Sequence, residues 1–76
     1  MAARPEKPLP DELRLRLIQA DLLERYNARP RYQRTDYITW IEWAKRLETK
    51  EKRIGQMLDE LRGGDAYMGM PYNAKR

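Results

Sequence analysis

Ile54, Met57, Leu58 and Leu61 recur at i, i+3, i+4 and i+7, the clearest amphipathic stripe in the chain, and predict a helix. Gly63-Gly64 directly behind it is a stop signal, and Thr49 is the expected N-cap ahead of it. Gly55 falls inside this helix, where glycine costs about 1 kcal/mol against alanine; close approach to a neighbouring helix, beside a tryptophan, is the expected reason. Upstream, Tyr37, Ile38, Trp40, Ile41, Ala44 and Leu47 form a broad apolar face at helical spacing. Thr35 is its expected cap, with Asp36 in the first turn.

The first apolar segment is ambiguous. Leu13-Arg14-Leu15-Arg16-Leu17 alternates strictly, as a half-buried strand does. Helix is the better reading, because Leu, Arg, Glu and Gln are good helix formers and no second strand-like run exists to pair with it. Pro10-Asp11-Glu12 supplies a proline and two carboxylates suited to a helix start. Asp21, with Glu24 three residues on, fits a capping box that opens a second short helix carrying Leu22, Leu23 and Tyr26. Residues 11–27 form either this pair or one bent helix, ended by Arg29-Pro30.

The expected fold is all-α, a small bundle of three to four short helices over residues 10–63, with flexible N- and C-terminal tails. Residues 1–9, with Pro5 and Pro8 among charges, read as a flexible arm. Residues 64–76 read as a flexible or loosely docked tail; Tyr67, Met68, Met70 and Tyr72 make it apolar enough to fold back or to dock on a partner. No internal repeat or heptad pattern is present.

Composition narrows the chemistry. With no cysteine and no histidine, disulfides, Cys/His zinc sites and imidazole-assisted nucleophiles are all excluded. Serine is also absent, leaving threonine as the only aliphatic hydroxyl. A chain of 76 residues offers little volume for a concave site. No enzyme activity, cofactor or metal is therefore expected. No apolar run approaches the roughly 20 residues of a membrane span, and the start lacks the apolar core of a secretory signal, so cytoplasmic residence is the expectation.

Sixteen basic against twelve acidic residues give a net charge of +4, compatible with nucleic acid, an anionic membrane surface or an acidic protein as partner. The charge is densest across residues 45–53. There Lys45, Arg46, Lys50, Lys52 and Arg53 outnumber Glu48 and Glu51. With Thr49 as cap, Lys50, Lys52 and Arg53 fall near a helix start, where free N–H groups attract anions; the plain alternative is a solvated charged surface. Trp40 and Trp43 lie three apart. Either Trp40 fills the core with Trp43 capping its edge, or Trp43 is an exposed anchor for a partner or a second copy. Lys45 and Arg53 are both placed to bond Glu48 and fix the angle between the helices. A DNA-reading helix-turn-helix fits loosely, but the second helix turns acidic at Asp59 and Glu60 and the turn lacks glycine.

This same block carries a resemblance. Trp40-Ile41, Ala44-Lys45, Glu48-Thr49 and Arg53-Ile54 resemble the motif of the YdeI/OmpD-associated family, also called bacteriocin-protection proteins. Leu9 to Leu13 and Gly63-Gly64 look like the limits of the family's C-terminal helical module. Leu47 and Lys50 stand where members often have proline and arginine. Members often carry an additional N-terminal domain not found in this sequence, so activity residing there does not carry over. The resemblance implies a small all-α bacterial module linked by family name to bacteriocin or stress protection. The functional expectation is a non-enzymatic interaction or regulatory module, monomeric or weakly dimeric, with an unidentified protein partner. The alternative is nucleic-acid binding through residues 45–53.

Overall fold

The computed structural model describes residues 8–71, with Pro71 described for its backbone only. Among these residues there are four helices: α1 (Asp11–Gln19), α2 (Leu23–Ala28), α3 (Arg31–Glu42) and α4 (Leu47–Gly63). They are followed by two very short strands, β1 (Ala66–Tyr67) and β2 (Met70–Pro71). The all-α expectation holds, and the expected arm lies almost wholly outside the described residues.

Helix α1 resolves the alternating leucines. Residues two apart on a helix are rotated by about 200°, and residues four apart by about 40°. Leu13 and Leu17 are accordingly buried together, while Leu15 faces solvent. The helix ends in a Schellman motif. The Leu22 N–H donates to the Leu17 carbonyl at 2.8 Å and the Asp21 N–H to the Ile18 carbonyl at 3.0 Å. Asp21 holds the left-handed position at φ 60°, which short polar side chains tolerate best after glycine. Leu22 then packs into the core beside Leu17. Asp21 thus closes α1 and does not cap α2, and residues 11–27 are two helices.

The other expected caps are also corrected. None of the four helices has a side-chain N-cap bond. Helix α3 starts at Arg31, four residues ahead of Thr35, because Pro30 sits extended at φ −57° and its carbonyl accepts from the Arg34 N–H at 3.1 Å. Pro10 does the same for α1, with Arg14 donating to its carbonyl at 2.9 Å. A proline fixed near φ −65° leads the chain into its first turn and lacks a donor that would otherwise be orphaned there. Thr49 is the third residue of α4, which starts at Leu47 behind an extended Arg46.

The core gathers Leu13, Leu17, Leu22 and Tyr26 from the first half against Tyr37, Ile38, Ile41, Ile54, Met57 and Leu61 from α3 and α4. The α4 stripe is as expected, with Leu58 at its margin. Gly64 closes α4 in the left-handed conformation at φ 83°, its N–H on the Glu60 carbonyl at 2.9 Å. The expected reason for Gly55 fails: no atom of a neighbouring element lies within 4 Å of where its Cβ would sit. The described part of the tail is docked. Met68 and Gly69, both at positive φ, form the two-residue turn of a hairpin that pairs Tyr67 with Met70.

Candidate interaction surface at the α3–α4 turn

The turn that carries the Trp40–Ile54 block is built from the end of α3. Trp43 is the C-cap, its N–H on the Thr39 carbonyl at 2.9 Å, and the next N–H, of Ala44, reaches the Ile41 carbonyl at 3.2 Å. The Trp40 carbonyl is thereby left without its helical donor. Arg53 supplies one from α4, at 2.5 Å, and its guanidinium carbon lies 5.2 Å from the Trp40 ring centroid. One side chain thus satisfies an orphan carbonyl, stacks on an indole and fixes the angle between the helices. The expected partner of Arg53 or Lys45 was Glu48; the structure gives Arg53 to Trp40 instead. Ile41 and Ile54 are buried below this contact, Ala44 and Thr49 are half-buried, and Glu48 is exposed.

Because α4 begins at Leu47, the cations sit one turn further along than expected. The Lys50 N–H already bonds the Arg46 carbonyl at 3.0 Å and belongs to the helical ladder. Lys50 Nζ lies 2.8 Å from Glu12, and the neighbouring Glu51 takes Arg16 at 2.9 Å, so both ion pairs tie α4 to α1. These pairs are part-exposed and each contributes about 1 kcal/mol or less. The free N–H groups of the first turn lie beside the Glu48 carboxylate, not beside Lys50, Lys52 and Arg53, which removes the reason to expect an anion there. Lys45, Arg46 and Lys52 remain exposed and make no ion pair among the described residues.

The two indoles part company. Trp40 is half-buried against the core, whereas Trp43 is 73% exposed, so it does not cap the core's edge. Leu47, four residues on, is 72% exposed. These are the most exposed large apolar side chains among the described residues, and the turn holds both, with Lys45 and Arg46 between them.

The opposite end of α4 holds a polar centre that the sequence reading missed. Glu60 lies in the buried stripe beside Met57 and Leu61 and is itself 8% exposed. It accepts hydrogen bonds from the Tyr37 hydroxyl, from Gln56 at 3.0 Å, and from the Met68 and Gly69 N–H groups at 2.8 and 2.7 Å. Burial pushes its carboxyl up, but these donors together outweigh burial and hold it below the ordinary value. The Tyr37 phenol is pushed well above its ordinary range, first by burial and then by its bond to Glu60; Tyr67 is raised likewise by burial and by donation to Asp36. The available signal was Glu60 itself, a carboxylate at an apolar stripe position. Nearby, Arg25 donates to the Leu61 and Arg62 carbonyls at 3.3 and 2.6 Å, and Arg29 to the Glu60 carbonyl at 3.2 Å. Two arginines of the α2 segment therefore cap the carbonyl end of α4.

An open polar depression of about 400 Å³ is lined by Ile18, Asp21, Leu23, Glu24 and Arg25. Among the described residues no group of three or more carboxylates is placed to hold a metal ion, and no helix is long and apolar enough to cross a membrane.

Fold and turn together define a small helical module with an exposed aromatic and basic corner. The chain belongs to the OmdA family, described as bacteriocin-protection, YdeI or OmpD-associated, whose model matches residues 6–64. No characterised protein and no solved structure matches it significantly.

Proposed function

We propose that this chain is a non-enzymatic interaction module of a bacterial cytoplasmic protein, serving bacteriocin or stress protection by docking another protein at the α3–α4 turn. The observation that carries the reading is the exposure of both Trp43 and Leu47 at one turn, where the other turn residues among the described residues are polar or packed. Tryptophan with an aliphatic neighbour and a charged rim is the composition of a binding hot spot. Lys45 and Arg46 specify the partner's chemistry: an apolar pocket edged by carboxylates. They also disfavour a second copy of this chain, since a twofold contact would bring the same cations together.

Nucleic acid is the second reading, supported by Lys45, Arg46 and Lys52. Its weakness is that Arg16, Arg25, Arg29 and Arg53 are engaged within the fold. A salt titration separates the two. Binding to duplex DNA or RNA that falls steeply with salt supports the nucleic-acid reading. Protein capture that survives nuclease and is lost in Trp43→Ser/Leu47→Ser supports the docking reading, and capture unaffected by that double change overturns it.

A further inference from the structure

The hairpin at residues 66–71 sits on the bundle through contacts of an unusual kind. Two strands of two residues cannot hold themselves together, so the bundle must hold them. It does so through two successive backbone N–H groups and one phenol. Met68 N–H meets one oxygen of Glu60 and Gly69 N–H the other, at 2.8 and 2.7 Å. The left-handed φ values of both residues turn these donors to the same side, the arrangement that captures an anionic oxygen. Tyr67 inserts edge-on between Tyr32 and Tyr37, with ring centroids 5.9 and 5.6 Å away, and donates to Asp36 at 2.5 Å.

The receiving side chains all stand on α3 and α4. Gln56 and Tyr37 hold the Glu60 carboxylate from those helices and not from the hairpin. The receptor surface is thus ordered by the bundle, and what it recognises is backbone donors plus a phenol. The family match ends at Gly64, the glycine that also closes α4, so the occupying segment lies outside the matched module.

We propose that this groove, formed by Asp36, Tyr37, Gln56, Glu60 and the Tyr32 ring, is a peptide-docking site that residues 65–71 occupy in cis as a detachable strap. Its ligand in trans is a peptide β-turn that carries a tyrosine just before two adjacent backbone donors. The site is roughly 20 Å along α4 from the Trp43 corner, at 1.5 Å per residue, and is independent of it.

The test uses the full chain carrying Tyr67→Ala and Gly69→Val. Together these remove the phenol and strain the left-handed position, while leaving every groove residue in place. A synthetic peptide with the sequence of residues 65–71 is titrated calorimetrically into this variant and into the unaltered chain. The variant is expected to bind at least about tenfold more tightly, because its groove is vacated, and addition of Glu60→Gln is expected to abolish binding. Equal or absent binding by a folded variant, or binding indifferent to Glu60→Gln, overturns the proposal. Hydrogen exchange in the unaltered chain decides independently of variant folding. The Met68 and Gly69 amides are expected to exchange through a local opening, well before the amides of Met57 and Leu58. Exchange of all four in a single global event shows that the strap is integral and overturns the proposal.

Discussion

Glu60 is the residue on which most of the polar interior turns. It is ionised, nearly buried and satisfied by four donors, so removing its charge leaves those donors pointing at a weaker acceptor. Glu60→Gln is expected to destabilise the chain by roughly 2–3 kcal/mol, the scale of a lost hydrogen bond to a charged group, as read from urea denaturation. Acid should reproduce this. Its folded carboxyl lies below the ordinary 4.5, so the unfolded chain takes up protons first as pH falls. The stabilisation is complete above pH about 4.5 and is lost as pH falls through the folded value. Tyr37 and Tyr67 act at the other limit. Their phenols are raised above the ordinary 10.0, so the stabilisation they give is intact below pH 10 and is lost as the pH climbs beyond it. In an alkaline titration followed by phenolate absorbance, the Tyr37 ring should ionise only as the chain unfolds, and Tyr67 earlier, as the hairpin opens. Arg53 is the second such residue. Arg53→Met is expected to cost about 1–2 kcal/mol through the Trp40 carbonyl it abandons, with thermal melting as the check.

At the scale of elements, Gly55 and Gly64 make opposite predictions. Gly55 lies inside α4 with open space where a side chain would begin, so Gly55→Ala should stabilise by about 0.5–1 kcal/mol. For a domain of this size that raises Tm by several degrees, about 4–8 °C per kcal/mol. Gly64→Ala should lower Tm, since φ 83° is strained for any residue with a Cβ. The helices themselves were legible because their apolar stripes are. Ile54, Met57, Leu58 and Leu61 project from one face of α4 as their spacing requires, and Gly63-Gly64 ends it. The start of α1 at Pro10-Asp11-Glu12 was legible too, but the starts of α2, α3 and α4 were not. Asp21, Thr35 and Thr49 all have cap-forming side chains, yet the fold enters α1 and α3 through proline and ends α1 with Asp21 in a Schellman turn. Cap propensity is a local preference of about 1 kcal/mol, small enough for tertiary packing of Gln33 and Tyr37 in the first turns of α3 to override.

Across the whole molecule, the basic composition has a different meaning from the one charge counting suggests. Arg25, Arg29 and Arg53 close the carbonyl ends of helices, and Arg16 and Lys50 tie α1 to α4. Such uses depend on long-range approach, between positions such as 25 and 62, that no local pattern encodes. Of the cations in the Trp40–Ile54 block, that leaves Lys45, Arg46 and Lys52 at the surface, and it leaves Trp43 and Leu47 as an apolar pair without a structural duty. Removing that pair should leave stability within about 0.5 kcal/mol of the unaltered chain, as for surface sites generally, while removing function. The most direct test is capture from nuclease-treated extract of the source organism, on the unaltered chain and on Trp43→Ser/Leu47→Ser, immobilised at equal density and with matched Tm. The account predicts a saturable protein species retained by the unaltered chain, lost from the double variant and weakened by Lys45→Glu/Arg46→Glu. Equal retention of that species by both chains, or retention of nucleic acid alone before nuclease treatment, would contradict it.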